Sequence, residues 1–128
     1  MKVVQEMVAY FDRRGQLSKR QVRQLLDKGY LASDAPPNML ELAGTVGANY
    51  YFRVRGEVEG PLWGTDIYTG DSALSAAAVH AGLLKVGQTA VLKVTAVAPL
   101  PQYQGCVRNN VTSHDFGRYG SAYRLSAV

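Results

Sequence analysis

The stretch that most restricts the possible folds of this chain is YTGDSALSAAAVHAGLL, residues 68–84. Its apolar side chains recur at helical spacing, at Leu74, Ala77, Ala78 and Ala81. Asp71 or Ser72 is the expected N-cap of the helix, and Gly82 is its expected end. So short and apolar a helix is marginally stable alone in water, and its small side chains let strands approach closely. The sequence therefore predicts a central helix buried by the strands around it.

Three segments around this helix have the patterns of β-strands. Residues 50–59 alternate between two faces, and the expected inward set is Phe52, Val54 and Val58. Residues 89–98 are apolar on both faces, which is typical of a central strand covered on both sides. Residues 121–128 alternate again, with Tyr123 expected to point inward. The predicted fold class is α+β, with a central helix wrapped by antiparallel sheets.

The first 32 residues carry the whole net charge of the chain. They hold seven basic and three acidic residues, a net charge of +4, whereas residues 33–128 are balanced. Two apolar stripes of helical spacing flank Gly15, and their members are Val4, Met7, Val8, Phe11, Val22, Leu25 and Leu26. Ser18 and Gln21 have the spacing of a capping box at the start of the second stripe. Residues 1–32 are therefore predicted to form a basic helical hairpin.

The chain is predicted to contain three units. These are the hairpin at residues 1–32, a linker at residues 33–41, and a strand-rich domain at residues 42–128. Two short helices bury too little apolar surface to be stable alone, so their stripes must pack on the rest of the chain, a second copy or another protein. Because Pro36-Pro37 is expected to hold the hairpin apart, a protein partner or self-association is the favoured interpretation.

The basic side chains of the hairpin also suit contact with nucleic acid. The candidate residues are Arg14, Lys19, Arg20 and Arg23. Two helices joined by a few residues are typical of a helix-turn-helix, although only Arg20, Gln21 and Gln24 have base-reading side chains there. A solvated outer face, on a hairpin that packs against a partner or another copy, explains the same charges and is the favoured interpretation. Nucleic-acid binding is therefore kept as the alternative function.

The segment WGTDIYTGDS, residues 63–72, followed by AAVHAG, residues 77–82, resembles the most distinctive part of the LCCL domain family. The similarity continues through Gly87, residues 103–105 and residues 109–113. It covers about residues 42–128. The resemblance implies a central helix wrapped by two antiparallel sheets. It also implies a non-catalytic module that binds lipids, lipopolysaccharide or other polysaccharides.

The sequence departs from the family at its cysteines. Ser75 stands where the family has a cysteine in the helix, and the single Cys106 cannot form an internal disulfide. The charged start of the chain is unlike a signal peptide, and no apolar run is long enough to cross a bilayer. These features favour a cytoplasmic protein. Asn110 replaces a glycine of the family, and asparagine tolerates the left-handed backbone that this turn requires.

Aromatic and polar residues in the loops are the candidate ligand-binding site. They are Trp63, Asp66, Tyr68, Tyr103, Arg108, Asn109, Arg118 and Tyr119. Such a mixture suits sugar rings or an anionic head group. Trp63 and Tyr68 are equally suited to filling the core beside the helix.

No residue pattern predicts catalysis, a metal or a cofactor. His80 is expected to be a hydrogen-bonded core histidine, and Cys106 a buried or inert thiol. Ser113-His114-Asp115 contains the residue types of a catalytic triad, but consecutive side chains point apart. The sequence therefore predicts a non-enzymatic binding or assembly module.

Overall fold

The computed structural model of the chain describes residues 17–29 and 32–128. Within these ranges lie two helices, α1 Lys19–Asp27 and α2 Leu74–His80. The strands are β1 Ser33–Asp34, β2 Asn49–Arg55, β3 Gly64–Thr65, β4 Ile67–Thr69, β5 Thr89–Val97, β6 Val107–Arg108, β7 Val111–Thr112 and β8 Ala122–Ala127. Six strands form one sheet in the order β1-β2-β5-β8-β4-β3, in which only the β1–β2 pair is parallel. β6 and β7 form a separate antiparallel pair.

Helix α2 lies at the centre of this arrangement. Leu74 and residues 76–80 are buried, and the helix contacts β2 of the large sheet and β7 of the small one. Ala76, Ala77 and Ala78 have no exposed surface, so backbone and strands approach the helix with only methyl groups between them. The α+β class with a buried central helix is confirmed.

The start of α2 differs from the prediction, which placed the N-cap at Asp71 or Ser72. The N-cap is Ala73, and it makes no side-chain capping bond. Instead, the amides of Ala73 and Leu74 donate to the carbonyl oxygens of Pro61 and Pro37, at 2.7 and 3.0 Å. The Ser72 hydroxyl is occupied elsewhere, because it accepts from the Trp63 amide at 3.0 Å. The predicted end is confirmed, since Gly82 has the left-handed φ of +81°.

The central strand is β5, as predicted, because it pairs with β2 on one side and β8 on the other. Its inward side chains, Leu92, Val94 and Ala96, join the main core. Tyr123 of β8 is also fully buried, as expected. The inward position predicted for Val58 is wrong, because β2 ends at Arg55 and Val58 is 40% exposed in the following loop.

Helix α1 is the second helix of the predicted hairpin. Its capping box is confirmed: Ser18 Oγ accepts from the Gln21 amide, and Gln21 Oε1 accepts from the Ser18 amide. The first predicted helix, with Val4, Met7, Val8 and Phe11, lies outside the described residues. Since the hairpin prediction needs both helices, the structure supports only its second half.

The apolar side of α1 packs on the chain's own sheet. Val22 is buried against Tyr51 of β2, with Leu17, Leu25, Leu26 and Val91 around them. This contact is on the outer face of the sheet, opposite the main core. The expectation that Pro36-Pro37 holds the hairpin apart is therefore wrong for α1, because the sheet offers a partner for its stripe.

The segment between α1 and β2 takes part in the sheet and the core. β1 pairs with β2, with Ser33 opposite Phe52 and Asp34 opposite Arg53. Met39 is fully buried in the main core. Residues 33–41, which the sequence predicted to be a linker, thus contribute a strand, a core side chain and the Pro37 carbonyl at the start of α2.

Candidate functional site

His80 lies at the C-terminal end of α2 and is fully buried. Its Nε2 is 3.0 Å from the carbonyl oxygen of Cys106, and its Nδ1 is 2.9 Å from the hydroxyl of Tyr68. Because a carbonyl oxygen can only accept, the neutral ring carries its proton on Nε2, and Nδ1 accepts from Tyr68. The geometry is that of a core histidine with both nitrogens satisfied, as the sequence predicted.

Two candidate ligand residues lie in the core instead of on the surface. Tyr68 has no exposed surface, and its ring contacts those of His80 and Tyr123 at 5.7 and 5.9 Å between centroids. Burial raises the pKa of Tyr68 to about 12, and burial also raises the pKa of Tyr123 well above its usual value. Tyr103 is buried too, with its hydroxyl accepting from the Leu100 amide at 3.0 Å. Neither Tyr68 nor Tyr103 presents its ring to solvent.

Cys106 is exposed, which corrects the expectation of a buried thiol. Its Sγ lies 3.6 Å from Nε2 of His80 and 3.3 Å from Oγ1 of Thr65. Since the Thr65 hydroxyl donates to the carbonyl oxygen of Gln104, the thiol is the donor to Thr65. The sequence did not reveal this contact between a histidine and a cysteine 26 residues apart. It depends on how the loop before β6 crosses the end of α2.

Asn109 holds the C-terminal end of α2. Its Nδ2 donates to the carbonyl oxygens of Val79 and His80, at 3.0 and 3.2 Å. Asn109 and Asn110 have φ values of +52° and +63°, as a tight turn between β6 and β7 requires. The tolerance predicted for Asn110 is confirmed. The Nδ2 group of Asn109 is thus engaged within the fold.

Arg108 and Asp66 form an ion pair at the surface. Nη1 of Arg108 lies 2.8 Å from Oδ1 of Asp66. The hydrogen bond to Asp66 and its negative charge raise the pKa of the guanidinium. Asp66 sits between β3 and β4 with a φ of +68°, so the pair ties this tight turn to β6. An exposed pair of this kind contributes little stability.

Three aromatic side chains form a row on the surface. The Trp63 ring meets that of Phe116 at 6.3 Å and 64°, and Phe116 meets Tyr119 at 5.9 Å and 71°. We call Trp63, Phe116 and Tyr119 the aromatic row. Phe116 is 43% exposed, so much of its apolar ring faces solvent. The structure therefore brings together Trp63 and Tyr119, two of the predicted residues, through a third that the sequence analysis missed.

Phe116 is held in place by backbone pairing with Tyr103. The Tyr103 amide donates to the Phe116 carbonyl oxygen at 2.7 Å, and the Phe116 amide donates back at 3.0 Å. Gly64, next to Trp63, lies against the carbonyl oxygen of Ile67. Its φ of +100° favours glycine, and a Cβ at this position would collide with that oxygen. No periodicity in the sequence marks Phe116, because it lies in an irregular loop fixed by this isolated bridge.

A groove of about 380 Å³ continues from the end of the aromatic row. We call it the proline groove, and its lining residues are Pro99, Leu100, Pro101, Arg118, Tyr119 and Gly120. Burial, the charge of Asp71 and a hydrogen bond to Asp71 raise the pKa of Tyr119, in that order of size. Oδ1 of Asp71 is buried without a hydrogen-bond partner in the described residues. The groove thus combines apolar walls with a guanidinium and a hydroxyl.

The side chains of Ser113 and Asp115 hold the loop before β6. Ser113 Oγ accepts from the Cys106 amide at 2.9 Å, and Asp115 Oδ1 accepts from the Gly105 amide at 2.7 Å. The side chain of His114 is exposed, and its amide donates to the Leu62 carbonyl oxygen. The triad residue types are therefore engaged separately, as expected from consecutive residues.

The basic candidates on α1 are exposed. Lys19, Arg20 and Arg23 all face solvent, and Nη2 of Arg23 donates to the carbonyl oxygen of Val128 at 3.4 Å. Arg14 lies outside the described residues. Their exposure is compatible with binding an acidic partner and equally with solvation.

Residues 17–29 and 32–128 lack two further kinds of site. This part of the chain contains no group of three or more His, Cys, Asp or Glu side chains placed to hold a metal ion. It also contains no helix of the length and apolarity needed to cross a bilayer.

The LCCL domain profile matches residues 45–122, more than half of the chain. The matched range contains α2 with His80, the β6–β7 pair and the aromatic row. This chain belongs to the LCCL domain family. The LCCL domain is generally a non-catalytic binding domain, which agrees with the coarse prediction of a binding module.

A human LCCL protein, Cysteine-rich secretory protein LCCL domain-containing 2, is similar to this chain. The two are 37% identical over 70 residues, which make up 53% of this chain and 14% of the human protein. The chain thus spans only a small part of its relative's length. The relative's name describes a secretory protein, so it gives no support to the cytoplasmic setting predicted from the sequence.

Proposed function

We propose that this chain is a non-enzymatic module that binds a polysaccharide on the aromatic row and the proline groove. The observation that carries the proposal is the exposed ring of Phe116, held between Trp63 and Tyr119 by edge contacts. Exposed aromatic rings offer flat apolar faces to the C–H groups of sugar rings. Backbone pairing with Tyr103 holds Phe116 in place, so this aromatic surface is formed without a ligand.

Polar groups beside the row suit the hydroxyl groups of a sugar. Arg118 lines the proline groove as a donor, and Tyr119, whose hydroxyl is hydrogen-bonded to Asp71, lines it beside Arg118. A few polar groups on an otherwise apolar surface orient a ligand without adding a large desolvation cost. Of the eight residues predicted from the sequence, Trp63, Arg118 and Tyr119 belong to this surface.

The absence of a catalytic function is part of the proposal. His80 has both ring nitrogens engaged within the fold, and Ser113 and Asp115 support the loop at Cys106. Asp115 precedes Phe116 in the chain, but its Oδ1 is held by the amide of Gly105. A binding role with no cofactor fits these contacts best.

The proposal is tested by affinity electrophoresis in gels containing soluble neutral polysaccharides: a β-glucan, a mannan and a dextran. We expect at least one of these polysaccharides to retard the protein. Phe116→Ala or Tyr119→Ala should weaken the affinity for that polysaccharide about threefold to tenfold, because a ring contact is lost. Val107→Ala is the control, because Val107 is an exposed apolar residue, 67% accessible, outside the row. Equal binding by Phe116→Ala and the wild type would exclude the aromatic row.

Two other ligands predicted from the sequence are alternative outcomes of this test. Retention by vesicles of phosphatidylcholine and phosphatidylglycerol, with no retardation by polysaccharide, would replace the sugar with a lipid head group. A change in mass on addition of a protein partner, prevented by Phe116→Ala, would assign the same surface to protein binding.

A further inference from the structure

The six-stranded sheet has basic side chains on its outer face. They are Arg53 and Arg55 on β2, Lys93 on β5 and Arg124 on β8. Each alternates along its strand with a side chain of the main core: Arg53 follows Phe52, and Arg124 follows Tyr123. Three of the four are exposed and Lys93 is partly exposed. The pairing of β2, β5 and β8 thus gathers cations that are up to 71 residues apart in the chain.

Helix α1 lies on this same face. It covers Tyr51 and Val91, and it adds four exposed cations, which are Lys19, Arg20, Arg23 and Lys28. Arg23 of the helix and Arg53 of the sheet line one groove of about 360 Å³ between the two elements. We call α1 together with the four basic residues of the sheet the basic face.

Among the described residues, the basic face carries a net positive charge and the remaining residues carry a net negative charge. The eight cations of the basic face are accompanied by three acidic residues, Asp27, Asp34 and Glu57, a net charge of +5. The other described residues hold three basic and five acidic side chains, a net charge of −2. Arg53 pairs with Asp34 at 3.2 Å and Arg55 with Glu57 at 3.4 Å. These exposed pairs are weak, so a phosphate can compete for the guanidinium groups.

We propose that the basic face binds double-stranded nucleic acid. In this arrangement α1 is the ridge that enters a groove, and the cations of the sheet contact phosphates on its two sides. Arg20, Gln24 and Lys28 are all exposed and four residues apart, so they form one row along the helix. An α-helix with its side chains is about 10–12 Å across, and the major groove is about 12 Å wide.

Two of the strand cations, Arg55 and Arg124, lie beyond opposite ends of the part of the sheet that α1 covers. Arg55 is opposite Thr89 and Arg124 is opposite Thr95, so the two arginines lie at different ends of β5. Six residues of strand correspond to about 20 Å. Tyr51 and Val91, which α1 covers, lie between these ends. Binding of a sulfated polysaccharide requires only positive charge on the surface. A duplex has a phosphate backbone on each side of its groove, so it also matches a helix with cations beyond both ends of the covered strands.

This proposal does not rest on polysaccharide binding, since the aromatic row and the proline groove contribute none of its residues. The test is fluorescence anisotropy of a labelled DNA duplex with the full chain over a series of NaCl concentrations. We expect log K to fall linearly with log salt. Lys93→Glu should weaken binding about tenfold at low salt and make the slope shallower by about one, because one phosphate contact is lost.

Arg108→Glu is the matched control. It makes the same change in net charge, but Arg108 lies on β6, in the separate β6–β7 pair, and is not part of the basic face. We expect its affinity to stay within about twofold of the wild type at the same salt. If Lys93→Glu does not fold, Arg124→Gln is the variant to test in its place. Arg124 is exposed, and its neutral replacement adds no new charge.

The proposal would be overturned by any of three results. The first is no binding of the duplex by the full chain at low salt. The second is an equal loss for Arg108→Glu and Lys93→Glu, which would make net charge the only cause. The third is binding of dextran sulfate without binding of the duplex, which would identify a sulfated polysaccharide as the ligand. Loss of duplex binding in Gln24→Ala with unchanged dextran sulfate binding would support α1 as the ridge.

Discussion

His80 illustrates at the scale of one residue how a titratable side chain is committed to structure. It joins Tyr68, on β4, to the carbonyl of Cys106, in the loop before β6. One imidazole thus connects α2 to both sheets from a fully buried position. The glutamine side chain is flexible and carries its donor and acceptor on one amide group, so it cannot place them at the positions of the two ring nitrogens.

We predict that His80→Gln lowers the free energy of unfolding by about 1–3 kcal/mol, because it leaves buried polar groups without partners. His114→Gln is the matched control, since His114 is exposed, and it should change stability by less than about 0.5 kcal/mol. Urea unfolding followed by circular dichroism measures both. A His80→Gln protein as stable as the wild type but deficient in ligand binding would show that His80 has a functional role instead.

The buried tyrosines predict how stability depends on alkaline pH. Burial raises the pKa of Tyr68 to about 12, and it raises the pKa of Tyr123 in the same direction. In the unfolded chain tyrosine ionises near pH 10. Above about pH 10 the unfolded state therefore releases protons that the folded state keeps, which favours unfolding.

We expect the free energy of unfolding to be insensitive to these groups below about pH 10 and to fall as the pH rises from about 10 towards 12. Urea titrations at several pH values, with the absorbance of tyrosinate as a second signal, measure this. Tyr68→Phe should reduce the slope, because the phenylalanine cannot ionise in either state. A stability that stays constant through the alkaline range would contradict the assignment of these rings to the core.

At the scale of elements, α2 is built from small residues because strands and backbone surround it. Its carbonyl ends are bound by the Asn109 side chain, and its first amides by the carbonyl oxygens of Pro37 and Pro61. These contacts come from segments before and after the helix in the chain. The helix is therefore held by its surroundings to a greater extent than by its own sequence.

Enlarging the buried side of α2 should be costly. Ala77→Leu or Ala78→Leu is expected to lower the free energy of unfolding by about 1–3 kcal/mol, because neither site has room for additional methyl groups. Ser75→Leu is the comparison within the same helix, since Ser75 is partly exposed, and its effect should be smaller. Thermal melting of the three variants gives the order. Unchanged melting for both alanine variants would place α2 on the surface.

At the scale of the whole molecule, helix α1 is joined to the domain by a small second cluster. Helix α1 contributes no residue to the main core, and its contacts are with Tyr51 and Val91 on the outer face. We propose that residues 1–32 are separable from the rest. Their removal exposes the outer face but leaves the core around α2 complete.

We predict that deletion of residues 1–32 leaves residues 33–128 folded, with a lower melting temperature, and abolishes binding by the basic face. Val22→Asp tests the same contact without deletion, because it puts a charge into the cluster beneath α1. Gln24→Asp is its control for folding alone, because Gln24 is exposed but belongs to the row of α1 that is proposed to enter the groove. Circular dichroism and solution mass measure the outcome. If the truncated chain does not fold, the segment belongs to the core.

The features of this protein that depend on neighbours in the chain could be predicted from its sequence. Periodicity predicted α2 and the central strand β5, and a motif of adjacent residues predicted the family. The Ser18–Gln21 capping box and the left-handed Asn110 also followed, because both depend on residues within one turn.

Contacts between residues far apart in the chain depend on the tertiary fold and could not be predicted. The exposed Cys106 lies beside His80, and Phe116 completes the aromatic row, because loops cross at those points. The register of β5 with β8 places Arg124 on the same face as Lys93, although residues 33–128 carry no net charge in sequence. Strand pairing and loop packing join residues far apart in the chain, and no local propensity encodes such contacts.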